Sequence, residues 1–339
     1  MLLFDDIAAE YENFAAYADG DSPTFAAWAR AVAADPEMLD RLSGLPAIKR
    51  QPNLVFAAAR FHGVPAPGPY AGLRRALLAD EPGDRIRRTI LERATQTNEV
   101  GRLATLLPAF AQAPGPLALI EVGASAGLCL YPDRWSYDWR TDAGRIRLGD
   151  GPVLECRAEG AVPWPREVPA IAWRGGIDLN PLDVTDEADM AWLTTLVWPE
   201  DDDRRARLRR AVQIARADPP RIVRGDLLDE LPALVDRAAE HGTVVVFHSA
   251  VIAYLEPADR ERFDALMRRL VAAGRCRWVS NEGEQVLPSV TATGPAGTAT
   301  GTASGTATGA APDQTFVLGL DGRALARTHG HGRFLRWLS

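Results

Sequence analysis

An α/β protein, built on a mostly parallel sheet with helices on both faces and preceded by an all-helical region, is the fold class this sequence predicts. Three observations lead there. Up to residue 112, apolar residues recur only at helical spacing. From Pro116 onward, short apolar runs alternate with helix-length amphipathic segments. The first of those runs, Leu117–Val122, ends in a glycine-rich turn, Gly123-Ala124-Ser125-Ala126-Gly127.

Each element follows from a local signal. Ile7, Tyr11, Phe14 and Tyr17 mark one face of a first helix between Asp5 and Ala18. Ser22-Pro23 and Asp35-Pro36 are N-caps followed by proline at the first helical position. A short apolar helix covers Asn53–Phe61, and a long amphipathic one is expected from Asp84 to about Leu107. The expected strands are 117–122, 170–178, 221–224, 243–248 and 275–280, with helices near 186–197, 201–216, 228–240 and 257–273. Within residues 137–165, the runs 145–148 and 153–156 flank Gly149-Asp150-Gly151 and predict an inserted β-hairpin. Residues 291–311 are a threonine-, alanine- and glycine-rich repeat with no core-forming side chains, so a flexible surface loop is expected. After it, 315–320 and 333–338 are expected to pair across Asp321-Gly322. The division implied is a helical cap region, 1–112, and an α/β domain, 113–339.

Composition narrows the function. At 339 residues, with 47% hydrophobic and 24% charged residues, the chain can bury a sizeable core. A formal net charge of -7 argues against a nucleic-acid partner, which needs a basic face. No run of about 18 apolar residues predicts a membrane span. Acids at Asp5 and Asp6 stand where a signal peptide carries positive charge, and Cys129, Cys156 and Cys276 are too scattered for a disulfide framework. A cytoplasmic location is expected. Lys49 is the sole lysine, so no Gly-Lys-Ser/Thr phosphate loop exists. His329-Gly330-His331 offers two imidazoles but no nearby third ligand, so no metal site is predicted.

The glycine turn supports two chemistries. As Gly-x-Ser-x-Gly it could be a nucleophile elbow presenting Ser125, with Asp178 or Asp226 and His248 or His329 completing a triad. An elbow, however, is normally preceded by several strands and an oxyanion loop, and neither is evident upstream. Read as Glu121-x-Gly123-x-x-x-Gly127, it is similar to the turn that opens the nucleotide site of S-adenosylmethionine-dependent methyltransferases. That reading asks for an acid ending the second strand to hold the ribose, met by Asp178, and another after the third strand near the adenine, met by Asp226. Asp178 lies farther from the turn than the usual ~20 residues. The insertion accounts for the excess, while Asp138 and Asp142 are nearer alternatives.

The chain also resembles the bacterial domain of unknown function 2332 along nearly its whole length. The resemblance rests on Gln51-Pro52-Asn53-Leu54, Gln96–Arg102, Glu121–Leu128, Asp178–Val184, Leu196–Glu200, Arg224-Gly225-Asp226 and Phe247–Val251. It implies a Rossmann-like, methyltransferase-type fold without an established reaction; the insert at 291–311 departs from the pattern. The expected function is therefore S-adenosylmethionine binding and methyl transfer to a small molecule. A non-catalytic ligand-binding or scaffold protein and a Ser125 hydrolase are the alternatives. Glu121, Gly123, Ser125, Gly127, Asp178 and Asp226 are the candidate cofactor residues. Glu99 and His248 are the candidate catalytic groups. Gln96, Asn98 and Arg102, expected on a helix just before the sheet, and Tyr254 are candidates for the substrate side. Oligomeric state is not legible.

Overall fold

The computed structural model describes residues 6–96, 99–294 and 315–338. In chain order the elements are α1 (Ile7–Ala18), α2 (Pro23–Ala33), α3 (Pro36–Ser43), α4 (Pro52–Phe61), α5 (Tyr70–Leu78), α6 (Asp80–Glu92), α7 (Leu103–Phe110), β1 (Leu117–Val122), β2 (Ser136–Thr141), β3 (Gly144–Leu148), β4 (Val153–Glu159) and β5 (Ile171–Asp178). They continue with α8 (Glu187–Leu196), α9 (Asp202–Ala217), β6 (Arg221–Arg224), α10 (Leu227–Ala239), β7 (Thr243–Ser249), α11 (Pro257–Ala272), β8 (Arg277–Gly283), α12 (Pro288–Thr291), β9 (Thr315–Leu320), β10 (Arg323–His329) and β11 (Phe334–Trp337). The chain forms two compact units. The described residues up to 96, with 185–209, make the first; those of 97–184, 210–305 and 314–339 make the second.

The first unit is helical. Its starts are capped as the sequence implies: Phe25 N–H donates to Ser22 Oγ, and Glu37 and Met38 N–H donate to Asp35 Oδ1. Ser22 Oγ also donates to Glu200 at 2.5 Å, and Thr24 N–H to the other Glu200 oxygen at 2.9 Å. Arg60 Nη1 donates to the carbonyls of Thr195 and Val197, both at 2.7 Å, which satisfies acceptors left over at the end of α8. Phe14, Phe25, Phe56 and Trp198 fill the centre with edge-on and tilted ring contacts.

The second unit carries one sheet in the order β3-β2-β4-β11-β10-β9-β8-β7-β1-β5-β6. From β6 to β8 all pairings are parallel. Strand order reverses beside β1, with β5 and β6 to one side and β7 and β8 to the other. Such a switch point leaves a crevice at the carboxyl ends of the strands. Both faces of β1 are buried, so apolar residues fill it on both sides with Glu121 as the sole polar member. Ala118, Ile120 and Val122 belong to a core with Leu231, Leu234 and Val235 of α10 and Phe263 and Met267 of α11. Leu117, Leu119 and Glu121 alternate to the opposite face.

Three local expectations are corrected. The helix expected over 84–107 is two helices. α6 stops at Glu92, where Arg93 turns extended (φ -97°, ψ 164°), and Glu99 opens a 3-10 turn, Val100–Arg102, that leads into α7. Thr95 and Thr97 are β-branched and Asn98 is a poor helix former, so propensity drops where apolar spacing alone suggests continuity. Glu99 and Arg102 thus lie on a short turn and not on the long helix expected. The runs 145–148 and 153–156 do not pair with each other: β2 lies between them, antiparallel to β3 and parallel to β4. Two arginines on β3 explain the preference, since Arg145 and Arg147 both bind the buried Asp138 of β2. Finally, β9 pairs across Asp321-Gly322 with β10, and β10 in turn with β11. Of the repeat at 291–311, only residues 291–294 are described, and 291 ends α12.

Candidate functional site

The turn after β1 is held almost entirely by the chain's own groups. Gly123 and Ala124 N–H both donate to the Ile177 carbonyl, at 2.8 and 3.0 Å, and Gly127 N–H donates to Ala124 O. Gly123 (φ +67°) and Gly127 (φ +69°) occupy the left-handed region. A Cβ on Gly123 would lie 2.4 Å from Val251 Cγ1, and one on Gly127 2.7 Å from Pro220 Cγ. The glycines therefore permit close packing of this turn on the segment after β7 and on the approach to β6. Ser125 (φ +53°) also has positive φ. Its N–H donates to Asp178 Oδ2 at 2.7 Å, while Asn180 N–H donates to Asp178 Oδ1 at 2.8 Å. Asp178 is thus fixed at the end of β5, beside the turn and half-exposed.

Among the described residues Ser125 Oγ is buried with no hydrogen-bond partner, and so is Glu121 Oε2. Such orphans are costly in a finished core and ordinary where a ligand completes the bonding. Burial drives the Glu121 pKa well above its usual value; Arg102 opposes this and Asp178 adds to it. The neighbouring Cys129 thiol is likewise raised by burial, and it lies 3.6 Å from the Glu99 carbonyl. Glu99 caps its turn by accepting from Gly101 N–H at 2.8 Å. Arg102 Nε donates to Gly330 O at 2.7 Å and Nη1 to Ser249 O at 2.8 Å.

A pH signature follows. A carboxyl raised in the folded state stabilises fully below its unfolded pKa of 4.5, and that contribution is lost as pH rises through its folded value. Glu121→Gln cannot ionise and is free of this loss. Its melting temperature relative to the native chain is expected to climb from pH 4.5 upward, with Arg102, Asp178, Cys129 and Glu99 unchanged around it. Parallel melting curves for the two proteins across that range would contradict the assignment.

His248 lies at the end of β7 but is fully buried. Trp278 Nε1, a donor only, donates to His248 Nε2 at 3.0 Å, and His248 Nδ1 is 2.7 Å from Glu282 Oε1. With Nε2 accepting, Nδ1 carries the hydrogen and donates to the carboxylate. The same Glu282 oxygen accepts from Val251 and Ile252 N–H at 3.0 and 3.2 Å. The ring therefore orients Glu282, which in turn holds the segment packed on Gly123. Ser125 has no histidine against its hydroxyl, and the Nε2 a triad would use is engaged by an indole.

The remaining candidates spread out. Asp226 is exposed and caps α10, its Oδ1 accepting from Leu228 N–H at 2.7 Å. Tyr254 is 63% exposed on a 3-10 turn after β7, and Leu179 is 65% exposed after β5. The two apolar side chains follow the strands that flank β1. Gln96 belongs to the helical unit, and Asn98 lies outside the described residues. His329 Nδ1 accepts from His331 N–H at 3.0 Å, and no cluster of metal-ligating side chains occurs among the described residues.

Glu282, Ser249 and Asn281 were not singled out from the sequence. The available signal was the one that marked Glu121 and Asp178, a polar residue closing an apolar strand: Trp278-Val279-Ser280-Asn281-Glu282 has that form.

These features define an α/β protein with polar side chains, buried carboxyls among them, at the strand ends where the strand order reverses. The particular family follows from comparison. Residues 8–337 match the family described as Uncharacterized protein conserved in bacteria (DUF2332), and the chain belongs to it. Comparison with curated proteins gives no match. No helix among the described residues is long and apolar enough to cross a membrane.

Proposed function

We propose that this protein binds S-adenosylmethionine at the carboxyl ends of β5, β1 and β7 and transfers its methyl group to a small molecule. The observation carrying the reading is Asp178: it ends β5 at the switch point, and its carboxylate is locked to the Ser125 N–H of the glycine turn. The order β6-β5-β1-β7-β8 is that of a Rossmann-like sheet and supports the methyltransferase-type fold. The donor set fits the cofactor. Asp178 keeps acceptor capacity for ribose hydroxyls beyond its two backbone bonds, and Leu179 and Tyr254 offer apolar surface to a base. Ser125 Oγ and Glu121 Oε2 offer uncommitted polar atoms, and Asp226 stands after β6 for the adenine edge.

Held by Asp178 and the glycine turn, the cofactor would supply an activated methyl group to an acceptor's lone pair. The protein has only to align the acceptor, exclude water and take up its proton. Glu99 is the carboxylate assigned to that proton. His248 is a positioning residue in this reading, since both ring nitrogens are engaged. That same engagement favours a second reading, a ligand-binding protein without turnover, because it removes His248 at the end of β7 from acid–base work.

Calorimetric titration with S-adenosylmethionine and S-adenosylhomocysteine tests the proposal. Heat with both is expected, and Asp178→Asn should weaken binding at least tenfold, the scale of a hydrogen bond to a charged group. No heat and no thermal shift with either ligand would sink it. Binding without methyl transfer across an acceptor panel would select the second reading.

A further inference from the structure

The polar residues at the strand ends form a hydrogen-bond chain with a defined direction. Thr328 Oγ and Asn281 Oδ1 are 2.6 Å apart, and Asn281 Nδ2 and Ser249 Oγ are 2.9 Å apart. The short distance is typical of an O–H···O bond and the longer of an N–H···O bond, so each length agrees with the atom assigned at Asn281. Thr328 therefore donates to the Asn281 carbonyl, and the Asn281 amide donates to Ser249. The Ser249 hydroxyl is left as a donor, and among the described residues it donates to nothing. Asn281 and Thr328 are fully buried and Ser249 is 7% exposed, so the polarity of the chain is set by protein groups.

Position and charge indicate what that hydroxyl meets. Ser249 lies two residues after Phe247, which pairs with Glu121, so Ser249 and Glu121 share a sheet face. Arg102 donates to the Ser249 carbonyl, placing a buried positive charge against the same residue. A hydroxyl donor beside a guanidinium favours an anionic acceptor over a neutral one. β7 and β5 flank β1, so their ends are separated by two strand spacings, about 10 Å. In the ligand proposed above, the chain that runs from the ribose through sulfur to the amino-acid carboxylate is long enough to bridge that distance.

Resting on that reading, the geometry points to Ser249, backed by Arg102, as the binding residue for the amino-acid carboxylate of the nucleoside ligand. The carboxylate accepts from Ser249 Oγ while Asp178 holds the ribose.

A thermodynamic cycle on the full chain tests this, with Ser249→Ala as the variant and S-adenosylhomocysteine and its decarboxylated analogue as probes. The native chain is expected to bind S-adenosylhomocysteine at least tenfold more tightly than the analogue. In Ser249→Ala that preference should collapse to about twofold, with affinity for the analogue nearly unchanged. Ser249→Thr keeps the hydroxyl and should restore the preference. Because each variant is compared with itself across two ligands, destabilisation from the unpaired Asn281 amide does not enter the comparison. An equal preference in native and Ser249→Ala protein, or an equal loss for both ligands, overturns the assignment while leaving the proposed function standing. No binding of either probe to the native chain overturns the proposed function and the assignment with it.

Discussion

Glu282→Ala is expected to destabilise the second unit by about 3 kcal/mol or more, since three donors lose their acceptor and each one left unsatisfied in a buried site costs about 1–3 kcal/mol. Glu282 is 2% exposed, and its Oε1 accepts from His248 Nδ1–H and from the Val251 and Ile252 backbone. Alanine removes the acceptor for all three donors, which are buried or part-buried with it. His248 is worst placed, because Trp278 already donates to its other nitrogen and the ring cannot turn to a new partner. The backbone is also affected: Ala250 is held at φ +58°, and its N–H donates to Asn281 O. Glu282→Gln retains one acceptor oxygen and should cost about half as much. Urea denaturation of the three proteins gives the ordering. A loss below about 1 kcal/mol for the alanine variant would mean that Glu282 does not hold this turn. Since stability is commonly about 5–15 kcal/mol, the predicted loss is large enough to compromise folding at physiological temperature.

What could be read from the sequence depended on how local each determinant is. β1 and β7 were legible because both faces are buried and apolar residues follow one another, as in Val244-Val245-Val246-Phe247. Helix starts at Ser22 and Asp35 were legible because a cap and its first turn are contiguous in the chain. Pairing was less so. β4 lies between β2 and β11, and nothing near Val153 announces Phe334 as a neighbour. The short span from Leu148 to Val153 suggested a hairpin, but the Asp138 carboxylate with its two arginines places β2 and not β4 beside β3. At the site, Asp178 and the glycine turn were visible as motif residues. The part of Glu282 was not, because its significance lies in His248 and Val251, which are 34 and 31 residues away. His248 stood as a candidate catalytic group; the indole against its Nε2 comes from Trp278, 30 residues away, and could not be inferred from the motif.

Gly123→Ala is expected to cost about 2–5 kcal/mol, from two sources that can be separated experimentally. The backbone at φ +67° lies in the left-handed region, which costs a non-glycine residue about 1–2 kcal/mol. The new Cβ would also stand 2.4 and 2.6 Å from the two Val251 methyls, an overlap that requires movement and adds about 1–3 kcal/mol. Val251 has little room to retreat, because its N–H is tied to the same Glu282 oxygen that holds His248. Truncating it, as Gly123→Ala with Val251→Ala, should recover the overlap but not the dihedral cost. The double variant is then more stable than the sum of the single changes by about 1–3 kcal/mol. Strict additivity would show that Gly123 and Val251 do not touch. The same pair bears on function, since Gly123 leads into the Ser125 N–H that fixes Asp178. If the double variant regains stability but still binds S-adenosylhomocysteine poorly, the left-handed turn itself shapes the ligand site, and its glycine is required for more than packing.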